Sequence, residues 1–432
     1  MRTTGTQHHG SKGPEHFPSH RAAEYLAQTG GPENTDALVL VDLLLMDAVE
    51  AGASDVHVEP WQEGIVIRLR IAGILHRFLT MPIELIERVA GRFKVMTDMG
   101  RFDTLRPQEG GATPAGPGQT VQFRISVFPT KRGEKIVVRI LDTRDRTFRL
   151  ADLGFDPDVV ERLGELLNSS TGVILFTGPT GSGKTTSIYS ALNFMLETHG
   201  ETISIATVED PVEYNLGQIS QAELMPERDF TYPVALRSLM RQDPQVIMIG
   251  EIRDPETAAI AVQAGLTGHL VLSTTHSAGT AGVFARLLHM NLEPFVVASS
   301  VLAVVGMRLL RTTCSVCRVP YEPDPRLFRY LTKEELAQAE FRTGDGCPAC
   351  NFTGNVARVA VAEIMIVTEE LQEAILNRQP TRTLQEIAMR SGMETLWQRG
   401  VRRVLRGDVM LEELVRVIPP RTVSNAGGTD EL

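Results

Sequence analysis

The chain has 432 residues, 42% of them hydrophobic, enough for about two to four domains with proper cores. A formal net charge of −10 and a pI of about 5.6 count against a large non-specific nucleic-acid surface. No apolar run reaches the roughly 18 residues that a membrane-spanning helix needs.

The opening "MRTTGTQHHGSKGPEHFPSH" lacks the apolar centre of a signal peptide. It is polar and rich in Gly, Pro and His, which predicts a solvated, disordered tail over residues 1–35. Metal binding by its histidines is the alternative. Residues 36–150 read as an α/β domain. "DALVLVDLLLMDAVEAGA" predicts a helix, and "SDVHVEP" and "GIVIRLRIAGILHRFL" alternate as strands do. Ile65, Ile67, Leu69 and Ile71 share one face, with Arg68 and Arg70 on the other. "PIELIERVAGRFKVM" returns to helix, and "TVQFRISVF" and "GEKIVVRIL" flank "PTKR" as a hairpin. Val121, Phe123, Ile125 and Val127 fall on one side of the first strand, so Arg124 points away from the core.

Residues 151–313 repeat strand and helix around "GPTGSGKT". Gly178, Pro179, Thr180, Gly181, Ser182, Gly183, Lys184 and Thr185 satisfy G-x-x-x-x-G-K-[ST], with Thr186 following. Glycines at these places let backbone N–H groups turn toward phosphate oxygens. The helix expected from about Gly183 adds an N-terminus that favours anions. Lys184 is expected on the β/γ-phosphates of ATP and the Thr185 hydroxyl on Mg²⁺.

The apolar strands "TISIAT", "QVIMIG" and "HLVLSTT" come with polar clusters: Glu209, Asp210 and Glu213; Glu251, Arg253 and Asp254; His269 and His276. This pattern predicts a parallel sheet with its site at the strands' C-terminal ends. Glu251 follows "VIMIG", the place of the acid that acts on Mg²⁺. A second carboxylate must orient or deprotonate the attacking water: Glu213 is the first candidate and Glu209 the second. His276, just past the fourth strand, is placed to sense the γ-phosphate, the alternative being a structural histidine.

Cys314/Cys317 and Cys347/Cys350 form two C-x-x-C pairs with 29 residues between them. Short knuckles of this kind suit tetrahedral thiolate coordination of Zn²⁺, and four protein ligands make the site structural. Two disulfides are the alternative, which a reducing compartment disfavours. The remaining sequence reads as a strand and several amphipathic helices, the last of them capped by Asp408.

In their order, these boxes resemble those of the ATPases of type II secretion and type IV pilus assembly. "ASDVHVEP" is similar to that family's N-terminal signature, and "RISVFPTKRGEKIVVRIL" to the strand pair carrying its ATP-contacting arginines. "TVEDPVEY" resembles its Asp box, "IMIGEIRDPETA" its Walker B box and "GHLVLSTTHS" its His box. The resemblance spans about residues 37–418 and implies an α/β fold: a RecA-like P-loop motor core, a smaller PAS-like N-terminal domain and a zinc-bearing, helix-rich C-terminal part. The implied layout is 36–150, 151–313, 314–356 for the tetracysteine insertion, 357–420 for the helical region and 421–432 for a second disordered tail.

The family's catalytic base falls on Glu213, and its arginines fall on Arg124 and Arg139, implying that the N-terminal domain closes over ATP. Further implications are a cytoplasmic, peripherally membrane-associated homo-hexamer acting on an inner-membrane platform protein, with no direct nucleic-acid partner. The zinc-bearing segment is typical of assembly and export motors in the family. The sequence departs from the family where Ala72 replaces the acid of an Asp-Gly turn and "TLRPQEG" replaces "RRLPQDG". The family's long extra N-terminal domain is not recognisable in the residues before the first helix. A nucleic-acid motor for DNA uptake or conjugation is the alternative function, and a non-hydrolysing nucleotide-binding scaffold is a third.

Overall fold

A computed structural model describes residues 17–112, 121–142 and 149–420. The metal-binding alternative for His8, His9 and His16 and the tail expected over 421–432 lie outside the described residues, while His20 stacks on Phe78 with ring centres 5.9 Å apart. The chain divides into two compact units. One takes Met1–Arg146, Cys314–Arg318 and Gly344–Ala357, and the other takes Thr147–Thr313, Val319–Thr343 and Arg358–Leu432.

The first unit contains α1 (Arg21–Thr29), α2 (Ala37–Glu50), β1 (Asp55–Trp61), β2 (Gly64–Ile71), β3 (Ile74–Met81), α3 (Ile86–Met96), β4 (Gln108–Ala112), β5 (Val121–Thr130) and β6 (Gly133–Asp142). Its six-stranded sheet has the order β3-β2-β1-β6-β5-β4. The alternation in the sequence decides which face is buried. Ile65, Ile67 and Leu69 of β2 and Phe123, Ile125 and Val127 of β5 join one core with Leu40, Leu44, Val89 and Phe93 of the covering helices. Asp36 caps α2 by accepting from Leu38 N at 2.8 Å. The expected hairpin is present, with Thr130 opposite Gly133.

Helix α1 corrects the expectation of a disordered tail through residue 35. Its anchor is Asp47, buried on the inner face of the largely apolar α2. Asp47 accepts from Ala22 N at 3.0 Å and from Ser19 Oγ at 2.5 Å. Phe17 meets Phe78 edge to face, with ring centres 5.1 Å apart. A nine-residue helix is too short to hold itself, so these tertiary contacts order it.

The second unit begins with α4 (Pro157–Leu167), β7 (Gly172–Thr177), α5 (Lys184–His199), β8 (Ile205–Glu209), β9 (Ser220–Glu223), α6 (Tyr232–Leu239), β10 (Val246–Ile249), α7 (Pro255–Leu266), β11 (Leu270–Thr275), α8 (Thr280–His289), α9 (Pro294–Ser300) and β12 (Val301–Thr313). After β12 come β13 (Arg318–Pro320), α10 (Lys333–Gln338), β14 (Arg342–Gly344) and β15 (Asn355–Ile366). Four helices end the described chain: α11 (Glu369–Leu376), α12 (Thr381–Arg390), α13 (Leu396–Leu405) and α14 (Leu411–Val417).

The sheet order is β15-β12-β7-β11-β10-β8-β9, and the pairs from β12 to β9 are parallel. Every residue of β7, β8, β10 and β11 is buried, which is why these strands read as continuous apolar runs. α4 and α5 cover one face and α7, α8, α9, α11 and α12 the other.

A partly buried charge cluster ties α4 to α13. Arg399, only 5% exposed, donates to both oxygens of Asp158 at 3.0 and 2.6 Å and to Asp156 at 3.2 Å. Arg402 and Arg403 complete the shell around Asp156, each at 2.9 Å. Asp408 does not cap α14: the N-cap position is Met410, with no side-chain bond. The Asp408 carbonyl instead accepts from Thr313 N at the end of β12, at 2.9 Å.

Candidate functional site

The glycine loop leaves β7 and enters α5 with Gly183 at the N-cap position, φ +90°. Gly178 (φ +155°) permits a close approach that a side chain would block. A Cβ there would lie 2.6 Å from Met307 O and 2.6 Å from Ser182 Oγ. The Lys184 amine folds back onto its own loop, donating to Gly178 O at 2.9 Å and Pro179 O at 3.1 Å. Burial pulls the Lys184 pKa down, the charge of Glu251 raises it and that of Arg308 lowers it again. Ser182 Oγ is buried and has no hydrogen-bond partner. An orphaned hydroxyl, a buried amine and a cradle that a Cβ would fill suit a polyphosphate.

Around this loop the strand ends deliver the acids unequally. Glu251 follows β10, with a side chain 15% exposed. It pairs with Arg253, and His276 Nε2 lies 3.7 Å from its other oxygen. His276 lies just past β11, whereas His269 precedes that strand at the opposite edge, where its Nδ1 lies 3.2 Å from Ala264 O. The pairing of the two histidines is thereby corrected. Asp254 is spent as the N-cap of α7, accepting from Thr257 N at 2.8 Å and Thr257 Oγ1 at 2.7 Å.

Glu209, the second candidate for the base, is 2% exposed. It is enclosed by the Tyr189 hydroxyl, by Thr207 Oγ1 at 2.6 Å and by Gln221 Nε2 at 3.0 Å. Such a carboxylate holds structure and does not meet water, so Glu209 is withdrawn as an alternative base. Glu213 is half-buried in the loop after β8. Its backbone N–H donates to the Tyr189 hydroxyl at 3.3 Å. Gln221 grips the same loop, donating to Tyr214 O at 3.0 Å and accepting from Leu216 N at 2.7 Å. Sequence reading missed Tyr189 and Gln221, whose roles arise only from contacts between distant segments.

In the first unit, Arg124 and Arg139 face each other across the β5–β6 ladder. Both point to the polar side of the sheet, as expected from the alternation. Arg139 Nε lies 3.3 Å from Asp55 Oδ1, and Arg70 Nε lies 3.3 Å from Asp55 Oδ2. Asp55 thus bridges two arginines on the strands either side of β1.

The four cysteines converge in that same unit. Their sulfurs all lie within 4.8 Å of one another, the closest pairs at 3.8 and 3.9 Å. A Zn–S bond of about 2.3 Å puts the sulfurs of a regular tetrahedron about 3.8 Å apart, far beyond a disulfide's roughly 2.05 Å. The residues therefore fit a tetrathiolate metal, and all four are free thiols. Gly346 N points at Cys317 Sγ at 3.3 Å and Cys347 N at Cys350 Sγ at 3.2 Å, N–H···S contacts of the kind that stabilise thiolates. Burial and the neighbouring thiols push the Cys317 pKa up to about 12, and a bound cation would favour its thiolate. Asn351 Nδ2 reaches Ala51 O, just past α2, at 3.4 Å.

The sequence model of a family described as "Type II/IV secretion system protein" matches residues 33–416. A type IV pilus assembly ATPase of Myxococcus xanthus is 38% identical over 387 residues, 89% of this chain and 68% of that protein. A type II secretion system ATPase of Vibrio cholerae is 37% identical over 398 residues, 89% of this chain and 78% of that protein. Among solved structures, the Legionella pneumophila ATPase DotB superposes with a TM-score of 0.65 at 18% identity, covering 87% of this chain and 94% of that one. The pilus retraction motor PilT with bound ADP gives 0.61 at 23%, covering 87% and 96%. At these identities the structural likeness speaks for the fold.

Proposed function

The chain belongs to the type II/IV secretion system protein family, and from that premise we propose that it is an ATPase motor driving assembly of a type IV pilus or a type II secretion pseudopilus. The observation that carries this reading is the loop at residues 178–185. It combines an orphaned Ser182 hydroxyl and a buried Lys184 with Glu251 and Glu213 at neighbouring strand ends, in a chain whose relatives are pilus and secretion ATPases.

Lys184 neutralises the β/γ-phosphates once its amine turns from the loop carbonyls to the nucleotide. Thr185 and Glu251 would hold Mg²⁺, which supplies charge neutralisation at the phosphates. Glu213 holds the attacking water and takes its proton, and the tie from its backbone to Tyr189 on α5 keeps it in register with the phosphate loop. His276, beside Glu251, senses the γ-phosphate. Arg124 and Arg139 meet the nucleotide when the first unit closes, so that each cycle moves that unit and does mechanical work on an inner-membrane platform. The working form is a cytoplasmic, membrane-peripheral homo-hexamer. Cys314, Cys317, Cys347 and Cys350 would hold Zn²⁺ in a structural role.

Phosphate release by purified protein tests the reading. Lys184→Ala loses ATP binding or turnover. Glu213→Gln keeps ATP binding and loses hydrolysis by about 10²–10⁴, because an amide cannot accept the water's proton. Wild-type turnover in Glu213→Gln would remove Glu213 as the base.

A further inference from the structure

Beyond Gly306, which pairs with Thr177, β12 carries Arg308 past the first glycine of the phosphate loop. A Cβ built on Gly178 would lie 3.3 Å from an Arg308 terminal nitrogen, as well as against Met307 O and Ser182 Oγ. Three groups therefore crowd one small volume: a guanidinium, an orphaned buried hydroxyl and the loop backbone that receives the Lys184 amine.

Arg308 is half-buried. Among the described residues no carboxylate lies within ion-pairing distance of it. Its hydrogen bond runs from Nη1 to the neighbouring Met307 carbonyl, at 2.9 Å. Glu363 favours the Arg308 charge from further away, but its oxygens are committed elsewhere: one accepts from Thr280 Oγ1 at 2.9 Å, the other from Leu396 N at 3.0 Å. Burial works against the charge of both Arg308 and Lys184; Glu251 favours the Lys184 charge, and Arg308 opposes it more weakly. Two cations held together in this way, beside a free hydroxyl and a helix N-terminus, form a site that is short of an anion.

We infer that Arg308 is a second cationic ligand, beside Lys184, for the phosphate chain of a nucleoside triphosphate. The inference rests on the reading of residues 178–185 as a nucleotide site. A guanidinium adds what an ammonium lacks, a planar fork that engages two phosphate oxygens at once. Its Met307 carbonyl contact is one that a phosphate oxygen can replace without leaving a charge unpaired. No motif marks this arginine, because its meaning depends on the parallel pairing of β12 with β7.

The test is titration of a fluorescent ATP analogue into the full chain, with tripolyphosphate as competitor. Lys184→Ala serves as the control and melting curves report the fold. Arg308→Ala is expected to weaken ATP binding about tenfold or more and to weaken tripolyphosphate competition in parallel. Arg308→Lys should recover part of both, since it keeps the charge and loses the fork. Arg308→Gln stands in if the alanine variant does not fold. Loss in Lys184→Ala together with wild-type affinity in the Arg308 variants would overturn the inference and leave the nucleotide site intact. Wild-type affinity in all variants, Lys184→Ala included, would overturn both. A weaker ATP affinity with unchanged tripolyphosphate competition would also overturn it, since the phosphate chain would then not be what Arg308 holds.

Discussion

Removing one oxygen from the core tests how the catalytic loop is held. The Tyr189 ring is fully buried and packs edge to face with Tyr214, with centres 6.2 Å apart, so Tyr189→Phe preserves the packing. What disappears is the hydroxyl that donates to Glu209 and accepts the Glu213 N–H. Glu209 is 2% exposed, so water does not replace the lost donor, although Thr207 and Gln221 remain. A hydrogen bond to a buried charge stabilises by about 1.5–3 kcal/mol, and the surviving partners put the expected loss near 2 kcal/mol. For a unit of this size that lowers the melting temperature by about 4–8 °C.

The catalytic consequence is separate. The loop bearing Glu213 loses its tie to α5, and misplacement of a water-positioning group on the ångström scale costs up to about 10²-fold in rate. Turnover should therefore fall by about ten- to a hundredfold while ATP affinity is unchanged. Scanning calorimetry, phosphate release and nucleotide titration on one preparation separate these outcomes. A melting temperature and turnover both equal to wild type would refute the network. A lower melting temperature with full turnover would show that Tyr189 supports the fold and does not position Glu213.

Arg124→Ala and Arg139→Ala should each depress turnover with the fold intact, by up to about 10³ if they meet developing phosphate charge; normal hydrolysis and normal ATP affinity in both would return them to solvated strand positions. Arg399 holds the Asp158 carboxyl below its usual range, so the pair stabilises above the ordinary aspartate pKa near 3.9 and that stability is lost as pH falls through the depressed folded value. Because the Asp158 side chain is 48% exposed, Asp158→Asn should cost no more than about 1 kcal/mol at pH 7. Urea midpoints should show the gap shrinking as pH falls from 7 to below the ordinary aspartate value, and an equal gap at both ends of that range would contradict the assignment. Elemental analysis should find one Zn²⁺ per chain, and chelation or Cys347→Ser should expose residues 314–318 and 344–357 to protease while ATP binding survives. Metal-free protein with equal protection would count against a structural metal.

The motor strands were readable in advance because burial on both faces forces unbroken apolar runs such as "GVILFT", and because the phosphate loop's glycines have little freedom to vary. The sheet of the first unit was readable through its alternation. What escaped reading depends on contacts far apart in sequence. Helix α1 is too short for a pattern, and its signal was Asp47, an acid on the buried face of a largely apolar helix. Glu209 and Glu213 look alike in "VEDPVEY", and only the enclosure of the first by Tyr189, Thr207 and Gln221 separates a structural carboxylate from the half-buried one in the loop after β8. His269 and His276 flank one strand, and a seven-residue offset puts them at opposite ends of it. Asp408 has the composition of a cap but not the position.

The length of β12 has a mechanical consequence. Its first part is bonded into the sheet beside the phosphate loop, with Gly306 opposite Thr177. Its last residue, Thr313, is hydrogen-bonded to the turn between α13 and α14. At about 3.3 Å per residue, the seven steps between these points span roughly 23 Å of extended chain. Extended backbone has little slack, unlike a helix, which can unwind, or a loop, which can fold up. A displacement where Arg308 faces the loop would therefore have one continuous extended strand as its path to the C-terminal helices. β12 thus joins the border of the glycine loop to the turn between α13 and α14 without a break.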